Sequence, residues 1–348
     1  MSQYRAVDGF ANDWHLVHLG RFAMGGAGLV FAEATAVTEG GRRTHGDLGA
    51  WHDDHVEGLA RIMDVCAQLG AVPGVQLGHA GRKASERRPW HGETPVDEED
   101  SALRGEEPWV SLGPSAIPYA DGWPAPAEMS NDDIVDTIEA FGRAARRCLD
   151  AGCQVIEVYA AHGFLVHQFL SPIANQRDDQ WGGSPENRRR FAVEVASSIR
   201  RHWPDDLPLL FRLSATDWLD GGVEVEDTIE TAKALKEAGV DMIDCSTGGI
   251  SGKERPRRMT VEHGFQVPFA KQVRDDADIA TMAVGFLWDA DAIVDVVESG
   301  SADMVAMARE LLVDPNWPLR VQAELDPESA FDAWPIESGW WLAKRERL

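Results

Sequence analysis

A (β/α)8 barrel of the TIM type is the fold this sequence predicts, and three observations predict it. Short apolar, partly β-branched runs recur along the chain, far enough apart to admit a helix between each pair. The segments between them repeat apolar residues every three or four positions, and several stop at glycine. No Gly-rich dinucleotide fingerprint follows any of the runs, which removes the main signature of an open, doubly wound sheet. Alternating strands and helices imply a parallel sheet covered on both faces.

In chain order, strands are expected at 28–37, 72–78, 155–161, 209–214, 242–246, 279–285 and 304–308. Each is short and apolar enough to be buried on both sides. Helices are expected at 14–24, 55–69, 132–151, 186–202, 225–238, 265–274 and 289–299. Gly70, Gly152, Gly239 and Gly300 stand where a left-handed residue ends a helix. These runs give seven full strands, and a closed barrel has eight. The expectation is therefore a barrel whose first strand and N-terminal capping hairpin are missing, with residues 1–4 no more than the end of that strand. Residues 85–130 are rich in Pro, Gly, Glu and Trp and show no periodicity. They follow the strand at 72–78, on the C-terminal face where barrel active sites form. The chain, 1–348, reads as one barrel domain with 85–130 as an insertion or lid.

Of the 348 residues, 58 are Asp or Glu and 33 Lys or Arg, for a formal net charge of -25. Such a field repels nucleic acid and anionic membranes. The 44% hydrophobic content is spread in short runs, none long enough to span a bilayer, and the opening residues lead to the expectation of no secretory signal. Cys66, Cys148, Cys153 and Cys245 match no zinc or iron–sulfur spacing and read as small core residues of a cytoplasmic protein. The acidic, lysine-poor composition fits two sources equally: a high-salt cytoplasm or an ordinary acidic bacterial enzyme.

Chemistry in a barrel sits at the strand ends. Those positions here carry Glu33-Ala34, Gln76, Tyr159 with His162, Arg212, Gly285 and Ala308-Arg309. Together they offer a side-chain amide, two fixed cations, a Tyr/His pair and a glycine turn near a possible phosphate site. A flavin mononucleotide needs such parts. Its phosphate takes backbone N–H groups and a cation, and its pyrimidine edge an amide. A permanent charge near N1 and O2 stabilises the reduced anion.

The run Val75-Gln76-Leu77-Gly78-His79-Ala80-Gly81-Arg82-Lys83 resembles the signature of the Old Yellow Enzyme family. So do His162-Gly163-Phe164-Leu165, Phe169-Leu170-Ser171-Pro172, and Trp181-Gly182-Gly183-Ser184-Pro185-Glu186-Asn187-Arg188. Further matches are Phe211-Arg212-Leu213-Ser214, Asp244-Cys245-Ser246 and Arg309-Glu310-Leu311-Leu312. The similarity covers nearly the whole chain and is greatest to the thermophilic-like and xenobiotic-reductase branch. It implies an FMN-dependent ene-reductase that uses NAD(P)H to reduce activated C=C bonds of small enones or nitro compounds. It implies that Ser2, Ala34, Gln76, Arg212, Gly285, Ala308 and Arg309 hold FMN, and that Tyr159 and His162 hold the substrate's activating oxygen. No metal is implied. The expected partner is a small-molecule substrate, with homo-oligomerisation left open.

The sequence departs from this pattern in several places. Tyr159 stands where His is usual. Phe164 stands where the branch often has Tyr, which leaves Tyr4 as the candidate proton donor. Ser2 stands where a redox-tuning Cys is frequent. The family begins with roughly two dozen further residues, in agreement with the strand count above. Ser338 stands where one branch places an arginine that reaches a neighbouring subunit, with Trp340 or Trp341 as an aromatic substitute. Two alternatives to the ene-reductase remain: a single-domain relative of dienoyl-CoA reductase or amine dehydrogenase, and a truncated barrel unable to hold flavin.

Overall fold

The computed structural model describes residues 1–252 and 261–345. Helix α1 (Asp13–Met24) leads into β1 (Leu29–Ala36), the short β2 (Leu48–Gly49), α2 (His55–Gln68) and β3 (Val72–Gly78). The insertion contains α3 (Glu98–Arg104) and the two-residue strands β4 (Leu112–Gly113) and β5 (Ala127–Glu128). Then follow α4 (Asn131–Asp150), β6 (Val155–Ala160), α5 (Leu165–Leu170), α6 (Pro185–Arg200), β7 (Leu209–Ser214), α7 (Val225–Glu237) and β8 (Met242–Ser246). The chain continues through α8 (Val267–Ala277), β9 (Ala280–Ala283), α9 (Ala290–Glu298), β10 (Met304–Val305), α10 (Arg309–Val313), α11 (Trp317–Leu325) and α12 (Ile336–Arg345).

The main sheet has eight parallel strands in the order β10-β9-β8-β7-β6-β3-β1-β2. It is a curled sheet of the TIM-barrel kind. β1, β3 and β6 to β10 coincide with the seven runs expected from the sequence. β2 touches only the last two residues of β1, pairing Thr35 with Leu48 and Ala36 with Gly49. Among the described residues β10 and β1 are not paired, so the ladder does not close.

Helix amphipathicity explains the outer layer. Ser130 caps α4 by accepting from the Asp133 N–H, and the Asp133 carboxylate accepts from the Ser130 N–H. From there Ile134, Ile138, Phe141, Ala145 and Cys148 recur at alternating steps of four and three and are all buried. Phe169 of α5 stacks on Phe191 of α6 with ring centres 4.1 Å apart. All four cysteines are buried and free, as small core residues.

The insertion differs from its expectation. Helix α3 stands in a segment where the sequence shows no periodicity. At seven residues it is too short to display one. Its cap and its ion pairs hold it instead: Asp97 accepts from the Glu99 and Asp100 N–H groups, and Arg87 bonds Asp97 and Asp100, each at 2.7 Å. No helix among the described residues is long and apolar enough to cross a membrane.

Candidate active site

Strand register assembles the site. β1 carries one extra residue between Ala32 and Ala34, so Glu33 is a bulge and Ala34 pairs with Gln76. Gln76 in turn pairs with Glu157 on β6, and its amide donates to Glu157 Oε1 at 2.6 Å. Two residues on, Tyr159 points to the same face and pairs with Arg212 on β7, which pairs with Asp244 on β8. Arg212 Nε lies 3.2 Å from Asp244 Oδ2. The side chains of Gln76, Glu157, Tyr159, Arg212 and Asp244 therefore share one inward face.

The chain leaves β6 through a strained turn. His162 has a φ of 53° and Gly163 a φ of 77°. A non-glycine residue in that region costs on the order of 1–3 kcal/mol and persists only where its surroundings hold it. Here they do. The His162 N–H donates to Ser214 Oγ at 2.9 Å, Lys83 Nζ donates to the His162 carbonyl at 3.0 Å, and the Gly163 N–H donates to His167 Nδ1 at 2.9 Å. His167 Nε2 lies 2.9 Å from Asp217, whose other oxygen accepts from Ser171 and the Val223 N–H. Glycine is required at 163, since a Cβ would lie 2.3 Å from the Gly249 carbonyl. The contact is mutual: a Cβ on Gly249 would lie 2.6 Å from the His162 Cα.

This turn brings the His162 ring against Tyr159. Nδ1 lies 2.9 Å from the Tyr159 hydroxyl, and Nε2 lies 2.5 Å from Ser246 Oγ. Burial, with help from Arg212 and Lys83, drives the His162 imidazolium well below its ordinary range, so the ring is neutral. Burial raises the Tyr159 phenol, which therefore keeps its proton. The Tyr159 ring stacks on Phe164 at 4.1 Å.

Tyr4 stands across the site, where its hydroxyl accepts from Arg43 Nη1 at 3.0 Å. Burial pushes its pKa up to about 12. Arg43 is clamped to Glu86 of the insertion through two bonds. Ser2 sits half-buried in the same N-terminal stretch, next to Gln3, whose N–H donates to Glu33 at 2.8 Å. Gly285 follows β9 at a φ of 116°, where a Cβ would meet Gln266 Nε2 at 2.5 Å. Gln266 also donates to the Val284 carbonyl and accepts from Thr247, with Ser246 at 3.4 Å, which links the glycine turn to His162. Ala308 and Arg309 are exposed past β10, with the Arg309 guanidinium 4.6 Å above the Phe286 ring.

Register and turns thus place Ala34, Gln76, Tyr159, His162 and Arg212 together. Gly285 and Arg309 form a second cluster joined to it through Gln266. Sequence reading missed Glu157, Asp244 and Lys83. Glu157 carried a signal, a lone acid within the apolar run Val155-Ile156-Glu157-Val158. Lys83 and Asp244 lie inside family-like motifs that give them no role. Lys83 is nearly buried, 4.7 Å over the Tyr119 ring and 5.8 Å over Phe164, and burial lowers its pKa to about 7.

The pattern of the NADH:flavin oxidoreductase / NADH oxidase family matches residues 1–328. The chain is 41% identical over 333 residues to an NADPH dehydrogenase of Geobacillus sp. (strain WCH70), covering 96% of this chain and 90% of that protein. The structure of a 2-naphthoyl-CoA reductase in complex with 2-naphthoyl-CoA is similar, with a TM-score of 0.82 and 27% identity over 93% of this chain. This chain spans about half of that one, 49%. Morphinone reductase, at 24% identity, shares the fold with a TM-score of 0.74, over 93% of this chain and 84% of its own.

Proposed function

We propose, for a chain that belongs to the NADH:flavin oxidoreductase / NADH oxidase family, the reduction of activated C=C bonds in small enones or nitro compounds. Membership makes it an FMN-dependent NAD(P)H oxidoreductase, as the sequence resemblance implies. The residues present fit the flavin. Arg212 Nε is buried with no hydrogen-bond acceptor in line, Gln76 offers an amide on the same inward face, and the Gly285 turn has room for no side chain. Gln76 and Arg212 would hold the pyrimidine edge, Ala34 and Ser2 would pack beside the ring, and Gly285, Ala308 and Arg309 would hold the phosphate. Bound FMN supplies two-electron hydride chemistry drawn from NAD(P)H.

The chain's own residues do the rest. Tyr159 and His162 present two neutral donors to the oxygen on which charge develops, in a buried site where such bonds are strongest. Tyr4 holds a proton for the substrate's α-carbon, because its oxygen already accepts from Arg43 and its own O–H is free to point at the site. Lys83 keeps the His162 carbonyl in place. The insertion closes one side through Glu86 and Tyr119.

The observation that carries this reading is the Tyr159–His162 pair on its pinned left-handed turn, in register with Arg212. Anaerobic mixing of the reduced holoenzyme with 2-cyclohexenone tests it. Rapid return of the yellow flavin is expected. Failure to reoxidise, together with bleaching of the oxidised enzyme by a primary amine, would replace the ene-reductase reading with an amine dehydrogenase.

A further inference from the structure

Beneath the Tyr159–His162 pair lies a layer of acids that substrate binding does not use. Glu33, Glu157 and Asp244 are 6%, 2% and 2% exposed, and Arg212 lies between the last two strands of the group. One guanidinium faces two of these carboxyl groups, Glu157 and Asp244. Their arrangement is specific. Gln76 donates to Glu157 Oε1, Arg212 faces Asp244 Oδ2, and Glu157 and Asp244, on the strands either side of Arg212, are close enough for each to act on the other's carboxyl group. The remaining oxygens, Glu157 Oε2 and Asp244 Oδ1, find no other donor. Two carboxyl groups can bond only when one holds a proton, since ionised carboxylates accept and never donate.

We infer that Glu157 and Asp244 form an acid–carboxylate pair that shares one proton and, through Arg212 and Gln76, couples reduction of the bound flavin to proton uptake. Glu157 and Asp244 are positioning residues here; Arg212 and Gln76 would face the cofactor. The inference rests on the flavin reading above.

The electrostatics follow from the geometry. Oxidised flavin takes two electrons and one proton to become the reduced anion. With Arg212 at the pyrimidine edge, the new negative charge would draw on the same guanidinium that offsets Asp244. The pair then binds protons more tightly, and a second proton enters from solvent. Other charged and titratable groups face the pair. Arg212 favours loss of the proton, Tyr159 stands two residues along β6, and the Met1 amine lies near both Glu157 and Glu33. Burial and Asp244 raise Glu157 to about 8, so the shared proton is in place at neutral pH and is lost above that value in the oxidised enzyme. In the reduced enzyme it stays on at higher pH. Extra uptake therefore appears above about pH 8.

The test is the midpoint potential of the FMN-loaded protein between about pH 6 and pH 10, for the unsubstituted chain, Glu157→Gln and Asp244→Asn. One proton per electron pair is expected below pH 8, rising toward two above it, in the unsubstituted chain. Glu157→Gln keeps a donor toward Asp244 and should show no rise above about pH 8. Asp244→Asn, which donates to an ionised Glu157, should do the same. Protonation of the reduced flavin itself bends the curve the other way, adding a proton at low pH. A slope of one proton throughout in the unsubstituted chain overturns the inference, as does an unchanged bend in both variants. If the variants lose flavin, proton release or uptake by the unsubstituted protein on reduction in weak buffer at about pH 8.5 decides alone. A purified chain that takes up no FMN overturns the flavin reading and this inference with it.

Discussion

The hydroxyl of Tyr159 lies 2.9 Å from Nδ1 of His162, so two groups suited to hold a substrate oxygen hold each other. His162 is neutral, and its single ring proton faces either Tyr159 or Ser246. An incoming oxygen must intercept this bond and recruit both donors. His162→Ala should slow flavin reoxidation by an enone about 10²-fold, as for loss of one oxyanion donor. Tyr159→Phe keeps the stack on Phe164 and should slow the same step. Reduction by NAD(P)H should change less. Stopped-flow measurement of the two half-reactions checks this, and equal losses in both would point to damage to flavin binding.

Arg212 is the fixed charge of the site. Arg212→Leu leaves Glu157 and Asp244 without their counter-charge and should weaken FMN binding and make the flavin harder to reduce. Arg212→Lys retains a charge but loses the planar fork, and should fall between. Titration of the apoprotein with FMN and a redox titration give the two readouts. Unchanged affinity and potential in Arg212→Leu would remove the assignment.

Lys83 should govern stability against pH. Its folded pKa is about 7, against about 10.4 in an unfolded chain. Between those values the unfolded chain binds more protons, so stability rises with pH, and the burial penalty is fully present below pH 7. Lys83→Met loses the bond to the His162 carbonyl at every pH, so its Tm relative to the unsubstituted protein should be most favourable below pH 7 and worsen toward about pH 10.4. Melting curves across that range check it, and a pH-independent difference would show that Lys83 is charged when folded.

Salt should matter to the whole molecule. With a net charge of -25, self-repulsion weakens as the Debye length falls from about 10 Å at 0.1 M to about 3 Å at 1 M. Tm should climb with KCl over that interval. A flat response would favour an ordinary low-salt source over a halophilic one.

Much of this was readable from the chain alone. Apolar runs such as Leu209–Ser214 announce buried strands because parallel strands are covered on both faces. Tyr159, His162 and Arg212 were legible because they sit where such runs end. What was not legible depends on pairing between distant strands. Glu157 meets Asp244 only because β6 and β8 flank β7, and no local pattern specifies that. The bulge at Glu33 is a property of register, invisible in a single strand. Helix α3 was missed because an aspartate cap and arginine pairs hold it, with no apolar stripe to show it.

The glycine contact between residues 163 and 249 has a mechanical consequence. With backbone against backbone on both sides, the turn bearing His162 and residues 248–250 cannot shift independently without breaking that contact. Arg82 fastens residues 248–250 to a third segment by donating to the Ile250 carbonyl at 2.6 Å. A wider mouth for bulky substrates cannot come from swinging the turn at 162–163 or residues 248–250 aside. Changing the length or side chains of residues 85–130 leaves that contact intact, which makes the stretch a place to engineer substrate size.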